Sequence, residues 1–134
     1  MTDYKTTLIA DEGLRLKPYK CTGDKWTIGV GRNLEAKGIS EDEAMLLLDN
    51  DIKDAVADSR QIVRSFDLLT DDRKIVIVSM VFQMGKNGVS KFRNMLKAIE
   101  IKEFDIAANE MLNSRWAHQT PNRALRLSNM MKGN

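Results

Sequence analysis

The stretch from Ser40 to Val63 constrains the fold of this chain more than any other part of it. Ser40-Glu41-Asp42-Glu43 has the form of a capping box. In such a box the serine oxygen accepts from the N–H three residues on, and the glutamate reaches back to the serine N–H. Behind it Ala44, Met45, Leu48, Ile52, Ala55, Val56, Ile62 and Val63 recur at helical spacing. A helix of that length spans roughly 30 Å or more, about the diameter of a small domain. In a chain of 134 residues everything else must be arranged along it or gathered at its ends.

The segment before it is not uniformly helical. Tyr4, Leu8 and Ile9 fit a short helix that stops at Gly13. Pro18 and Gly23-Asp24 then punctuate a non-helical stretch. Trp26, Ile28 and Val30 alternate with Thr27, Gly29 and Gly31, so the period of two predicts a strand with one apolar face and one small or polar face. Residues 21–25 would form the turn of a hairpin. Beyond Val63 the chain is helical in pattern. Thr70-Asp71-Asp72 resembles a helix start. Val89, Phe92, Leu96 and Ile99 mark one amphipathic helix. Phe104, Ala107, Ala108, Met111 and Leu112 mark the next, and Thr120-Pro121 opens a last one. Ile75 to Phe82 is a mostly apolar, β-branched run that periodicity alone leaves open between buried strand and buried helix. The expected class is α+β and mainly helical: residues 1–63 as a small lobe with a hairpin and the connecting helix, residues 64–134 as a helical lobe.

Such a chain can bury a modest core without a disulfide or a metal. Its single cysteine excludes an internal disulfide and suits manufacture in a reducing cytoplasm. No apolar run reaches membrane-spanning length. The first residues lack the basic-then-apolar build of a secretory signal. The net charge is only +2, but it is unevenly placed: residues 35–72 hold eleven acids and four bases, residues 73–134 eleven bases and four acids. A basic half suits a polyanion, whether cell-wall glycan with carboxylate-bearing peptides or nucleic acid, and is equally compatible with an ordinary solvated surface.

One constellation is far more specific. Glu12, eight residues, Cys21, five residues, Thr27 stands in the run Asp11-Glu12-Gly13-Leu14-Arg15 through Trp26-Thr27-Ile28-Gly29. Together with Phe82-Gln83-Met84-Gly85, Ser114-Arg115-Trp116 and Gln119-Thr120-Pro121-Asn122-Arg123, it resembles the phage endolysin lysozymes, glycoside hydrolase family 24, and their T-even type in particular. The resemblance extends over nearly the whole chain. It implies a lysozyme-like fold in which a small lobe carrying a hairpin is joined by a long helix to a helical lobe, and it resolves Ile75 to Phe82 as helix. It implies a cofactor-free, metal-free muramidase. Such an enzyme cuts the β-1,4 bond between N-acetylmuramic acid and N-acetylglucosamine.

Breaking a glycosidic bond requires an acid for the leaving oxygen and a group that answers the positive charge developing at the sugar carbon. By the resemblance Glu12 is the acid. Cys21 stands at the second catalytic position, usually an aspartate in the T-even type, and is open to three roles: thiolate base, nucleophile or spectator. Thr27 is the third residue, able to hold the attacking water. The resemblance places Gly31, Phe82, Gln83, Arg115, Trp116 and Gln119 against the glycan, and Arg123 as the arginine that pairs with Glu12. Phe82 and Trp116 are equally readable as plain core aromatics.

The chain departs from the T-even pattern in places. Arg32 replaces a histidine and is expected to pair with an acid such as Asp51 on the long helix. Asn33, Met95 and Glu110 differ where cleft contacts are expected, and His118, without companions, reads as a surface residue. The expected partner is a peptidoglycan strand, met by a monomer without membrane insertion. The enzyme would accumulate in a host cytoplasm and reach the periplasm and wall when a holin opens the membrane. Three rivals are weaker: a lytic transglycosylase, which needs only one acid; a wall-binding module without catalysis; and a basic helical nucleic-acid binder, for which no recognition motif is present.

Overall fold

Asp3 begins the chain's first helix by accepting the Thr6 N–H at 3.1 Å. In the computed structural model, which describes residues 2–133, α1 (Tyr4–Glu12) runs from that cap to Gly13, whose N–H donates to the Ile9 carbonyl at 2.8 Å. Three strands come next: β1 (Arg15–Lys20), β2 (Trp26–Gly29) and β3 (Arg32–Asn33). They form one antiparallel sheet in the order β1-β2-β3. Tyr19 faces Thr27 and Thr27 faces Asn33, with a register irregularity between Arg15 and Tyr19. Pro18 lies in that irregular stretch, where its missing N–H interrupts no regular ladder. The expected turn is present: Cys21 N–H donates to Lys25 O at 3.0 Å and Asp24 N–H to Cys21 O at 2.8 Å.

The long helix is α2 (Glu41–Ile62). Its capping box is complete. Ser40 Oγ accepts the Glu43 N–H at 3.1 Å, and Glu43 Oε1 accepts the Ser40 N–H at 2.8 Å. The chain divides into two compact units, Met1–Leu47 and Leu48–Asn134. The division falls inside α2, whereas the sequence pattern suggested its end at Val63.

The second unit continues with a short 3-10 turn (Phe66–Leu68), then α3 (Asp71–Ser90), α4 (Arg93–Glu100), α5 (Phe104–Leu112), α6 (Arg115–Gln119) and α7 (Pro121–Lys132). Thr70 caps α3 by accepting the Arg73 N–H at 3.3 Å. The run Ile75 to Phe82 is helical, within α3. Gly85 breaks α3 into two pieces, with φ 78° and ψ 167°, a conformation essentially restricted to glycine. The core is built from α3 (Val76, Ile77, Met80), α5 (Ala107, Ala108, Met111) and α7 (Ala124, Leu127, Met131), all 3% exposed or less. The alanines let α5 approach α7 closely. Four fully buried methionines, Met80, Met95, Met111 and Met131, fill the irregular space that remains, which their unbranched, flexible side chains suit.

The structure adds two local details. Of the two faces of β2 the apolar one is not the buried one: Trp26 is 45% exposed and Thr27 only 3%. The hairpin turns its small and polar side inward. Thr120 precedes α7 as expected, but its hydroxyl donates back to Trp116 O at 3.0 Å and does not cap α7. It closes the end of α6, a short helix the apolar pattern did not announce.

Candidate active site

Glu12 is the last residue of α1, and its side chain is exposed. Gly31 lies at the turn between β2 and β3 with φ 64°. The two meet. A Cβ placed on Gly31 would stand 2.8 Å from Glu12 Oε2 and 3.2 Å from Glu12 Cβ and Cδ. The carboxylate therefore occupies the space that a side chain at residue 31 would fill.

Cys21 opens the hairpin turn and is half-buried. Its thiol is lowered from the ordinary range, first by the Lys25 backbone N–H, then by the Gly23 N–H and the Thr27 hydroxyl, all stabilising the thiolate. Thr27 is buried and donates its own proton to Lys25 O at 2.9 Å. One hydroxyl proton cannot serve both acceptors at once. In this structure it lies on the Lys25 carbonyl. Thr27 keeps lone pairs free to accept.

Arg32 pairs with an acid of the long helix, and that acid is Glu43. Its guanidinium donates to Glu43 Oε1 at 2.6 Å and to Gly38 O at 3.2 Å. The reason is local: the capping box has already fixed the Glu43 carboxylate at the start of α2. The Arg32 hydrogen bond first, and then the Ser40 N–H and hydroxyl, hold Glu43 well below the usual carboxylate range, at about 2. Asn33 caps the next turn, its Oδ1 accepting the Ala36 N–H at 3.0 Å.

In the second unit, the residues expected at the substrate fall into two grooves. Arg115, Trp116 and Gln119 line a groove of about 550 Å³. Gln83 is tied to it, since Gln83 Oε1 accepts the Trp116 indole N–H at 2.9 Å. Trp116 itself is only 4% exposed and packs edge-on to Phe92, centroids 6.1 Å apart. Its ring holds Gln83 and the groove wall in place. The sequence reading missed Phe92 and Arg93, which also line this groove beside Met95 and Glu110. The interleaving of Lys91, Phe92 and Arg93 was the available signal. Phe82, half exposed, faces the other groove, of about 780 Å³, together with Arg123 from the first turn of α7. Consecutive residues of a helix point about 100° apart, which separates Phe82 from Gln83. His118 is exposed.

An apolar wall rimmed by guanidinium, amide and carboxylate groups suits sugar rings, which have flat apolar faces and polar edges. Among the described residues no group of three or more His, Cys, Asp or Glu side chains could hold a metal ion, and no helix is long and apolar enough to cross a membrane.

Comparison with known proteins adds to this geometry. The profile of the phage lysozyme family matches residues 10–130. The chain is 34% identical to the probable T4-type lysozyme 1 of Dictyostelium discoideum, over 98% of this chain and 95% of that protein. It is 29% identical to an endolysin of Acyrthosiphon pisum secondary endosymbiont phage 1, over 79% of this chain and 71% of the relative. It also matches the pre-baseplate central spike protein Gp5 of Enterobacteria phage T4 at 30% identity, over 90% of this chain but 26% of that larger protein.

Proposed function

Because the chain belongs to the phage lysozyme family and is a peptidoglycan-degrading glycoside hydrolase, we propose that it cuts the β-1,4 bond between N-acetylmuramic acid and N-acetylglucosamine as a phage lysis enzyme. The observation that carries this reading is the grouping of its chemistry in the first unit: an exposed carboxylate at the end of α1, a hairpin turn bearing a thiol, and a buried hydroxyl beside that thiol.

Glu12 delivers a proton to the glycosidic oxygen as the bond to the sugar carbon breaks. Water attacks the opposite face of that carbon. Cys21, biased toward thiolate by the Lys25 and Gly23 N–H groups, takes a proton from this water, and Thr27 accepts a hydrogen bond that orients it. The anomeric centre is inverted, because a base that works through water leaves the acid and base about 6.5–9.5 Å apart, room that a covalent route does not need. The amides and cations of Gln83, Arg115 and Gln119 bind acetamido, hydroxyl and carboxylate groups of the wall. Phe82 supplies an apolar face and Arg123 an active-site cation. The protein acts as a monomer without a cofactor, and a holin releases it from the host cytoplasm to the wall.

The test is lysis of outer-membrane-permeabilised cells together with proton NMR of fresh product from soluble glycan. Glu12→Gln is expected to lose roughly 100- to 10,000-fold, the usual worth of a general acid. Cys21→Asp should retain activity, and the first product should be the α-anomer with a reducing muramic acid end. A β-anomer, or a glycosyl adduct on Cys21, overturns the inverting route. A reducing glucosamine end overturns the bond assignment.

A further inference from the structure

Within the first unit, no described residue fixes the Glu12 carboxylate by a hydrogen bond or ion pair. Hydrogen bonds and ion pairs there go to Asp3, Arg32, Glu43 and the turn residues. A solvent-facing glutamate is rich in rotamers, and holding one of them has an entropic cost. Proton transfer in turn needs the donor within hydrogen-bond reach of the leaving oxygen. The carboxylate lies in the space that a Cβ on Gly31 would fill. From this juxtaposition we propose that Gly31 is a positioning residue for Glu12: the missing side chain at the β2–β3 turn is the slot that sets where the acid stands. The inference rests on the reading of Glu12 as the proton donor.

The sequence resemblance gives Gly31 a different part, close approach of backbone to glycan. The two parts predict different kinetics. A glycan contact acts mainly on KM. A slot for the acid acts on kcat, because the carboxylate is displaced while the sugar still binds. A Cβ at 2.8 Å from Oε2 cannot coexist with the present rotamer, so the carboxylate must swing aside. A misplacement of about 1 Å at a catalytic group is worth about 100-fold in rate.

Residue 31 also has a positive φ, so any substitution adds backbone strain. Gly29 separates the two effects. It has φ 69° in the same hairpin, and a Cβ there meets nothing within 4 Å. Gly29→Ala therefore brings the strain without the collision.

The experiment measures kcat and KM on a soluble glycan for wild type, Gly31→Ala, Gly29→Ala and Glu12→Gln, with thermal unfolding of each. Gly31→Ala is expected to lose about 100-fold in kcat with KM near wild type. Gly29→Ala should share the loss of stability and keep kcat. Placing Gly31→Ala in the Glu12→Gln background should add no further loss, since the group it positions is gone. Should Gly31→Ala fail to fold, Gly31→Asn repeats the comparison, because asparagine enters the left-handed region more readily while still carrying a Cβ. Equal kcat losses in the residue 29 and residue 31 variants overturn the proposal, as does a raised KM with kcat retained. If Glu12→Gln itself stays active, it is the assignment of the acid that has failed, and the residue 31 data then stand apart from it.

Discussion

Between residues 2 and 47 the one buried side chain among the described residues is Thr27, a polar one. From Leu48 onward the chain holds every buried apolar residue among those described. Leu16 in β1 is 83% exposed, while Ile77 and Met80 in α3 are fully buried. The first unit is organised by polar closures: the Asp3 cap, the Cys21–Lys25 turn and the Arg32–Glu43–Ser40 cluster at the start of α2. The second is organised by close-packed helices. Regions with few buried apolar contacts sit at the low end of local stability, and elements that must adjust to a ligand are drawn from that end. Here the expected proton donor and thiol lie on the lightly packed unit, and the dense core belongs to the other.

The largest test of this contrast is to remove equal amounts of side chain from each unit. Ile77→Ala is expected to cost about 2–5 kcal/mol of stability through lost burial and the cavity left behind. Leu16→Ala should stay within about 0.5 kcal/mol, as surface changes do. Urea unfolding measures both. A Leu16→Ala cost near that of Ile77→Ala would mean that β1 is held by apolar packing after all, and the contrast would fall.

A smaller effect comes from a polar clamp inside the apolar unit. Arg73 Nε donates to Met131 O at 2.7 Å and Nη2 to Lys132 O at 3.0 Å, while its guanidinium lies 3.6 Å from the centre of the Phe104 ring. It ties the start of α3 to the end of α7, where a cation also meets the negative end of the helix dipole. Arg73→Ala should cost about 2 kcal/mol, the range for hydrogen bonds to a charged group. Arg73→Lys should recover only part of it, because an ammonium lacks the planar fork. Amide exchange in the last turn of α7 should quicken in both variants, more in the alanine one. Unchanged exchange there would show that packing alone holds the helix end.

The legibility of the sequence divides along the same line, between local and distant causes. Ser40-Glu43 and Thr70 announced two helix starts because a cap is a contact between residues three apart. The spacing of Glu12, Cys21 and Thr27 was visible because it is a spacing along the chain. The buried face of β2 was not legible, since the alternation of Trp26 with Thr27 says that there are two faces and not which is covered. Arg32 was expected to meet an acid of the long helix, but that helix carries several and only the capping geometry chooses Glu43. Gly31 read as a place for backbone to approach a sugar. That it abuts Glu12 depends on how the hairpin lies against the end of α1, which no local pattern encodes. The separation of Phe82 from Gln83 is simple helical geometry, hidden by their standing together in one motif.

The smallest expected effect distinguishes the two units by pH. Ser40→Ala removes half of the capping box and should cost about 1 kcal/mol, the usual loss at an N-cap. Its partner Glu43 titrates. Arg32 and Ser40 hold the folded carboxyl at about 2, against an ordinary value of 4.5. A carboxyl lowered by folding stabilises the folded state at pH values above its unfolded pKa, and the benefit disappears as pH falls toward the folded pKa. The gap in melting temperature between wild type and Glu43→Gln should therefore be constant above about pH 5 and narrow steadily as pH falls from 4.5 toward 2. Glutamine can still close a capping box, so what narrows is the part due to the charge. The gap between wild type and Arg73→Ala should not track that curve, because Arg73 bonds to backbone carbonyls, which do not titrate. Thermal unfolding of the three proteins in parallel from about pH 6 to about pH 2.5 reads this directly. A Glu43→Gln gap that stays flat to about pH 3 would mean that Arg32 gains nothing from the charge, and the first unit would then owe its order to the neutral closures of its turns.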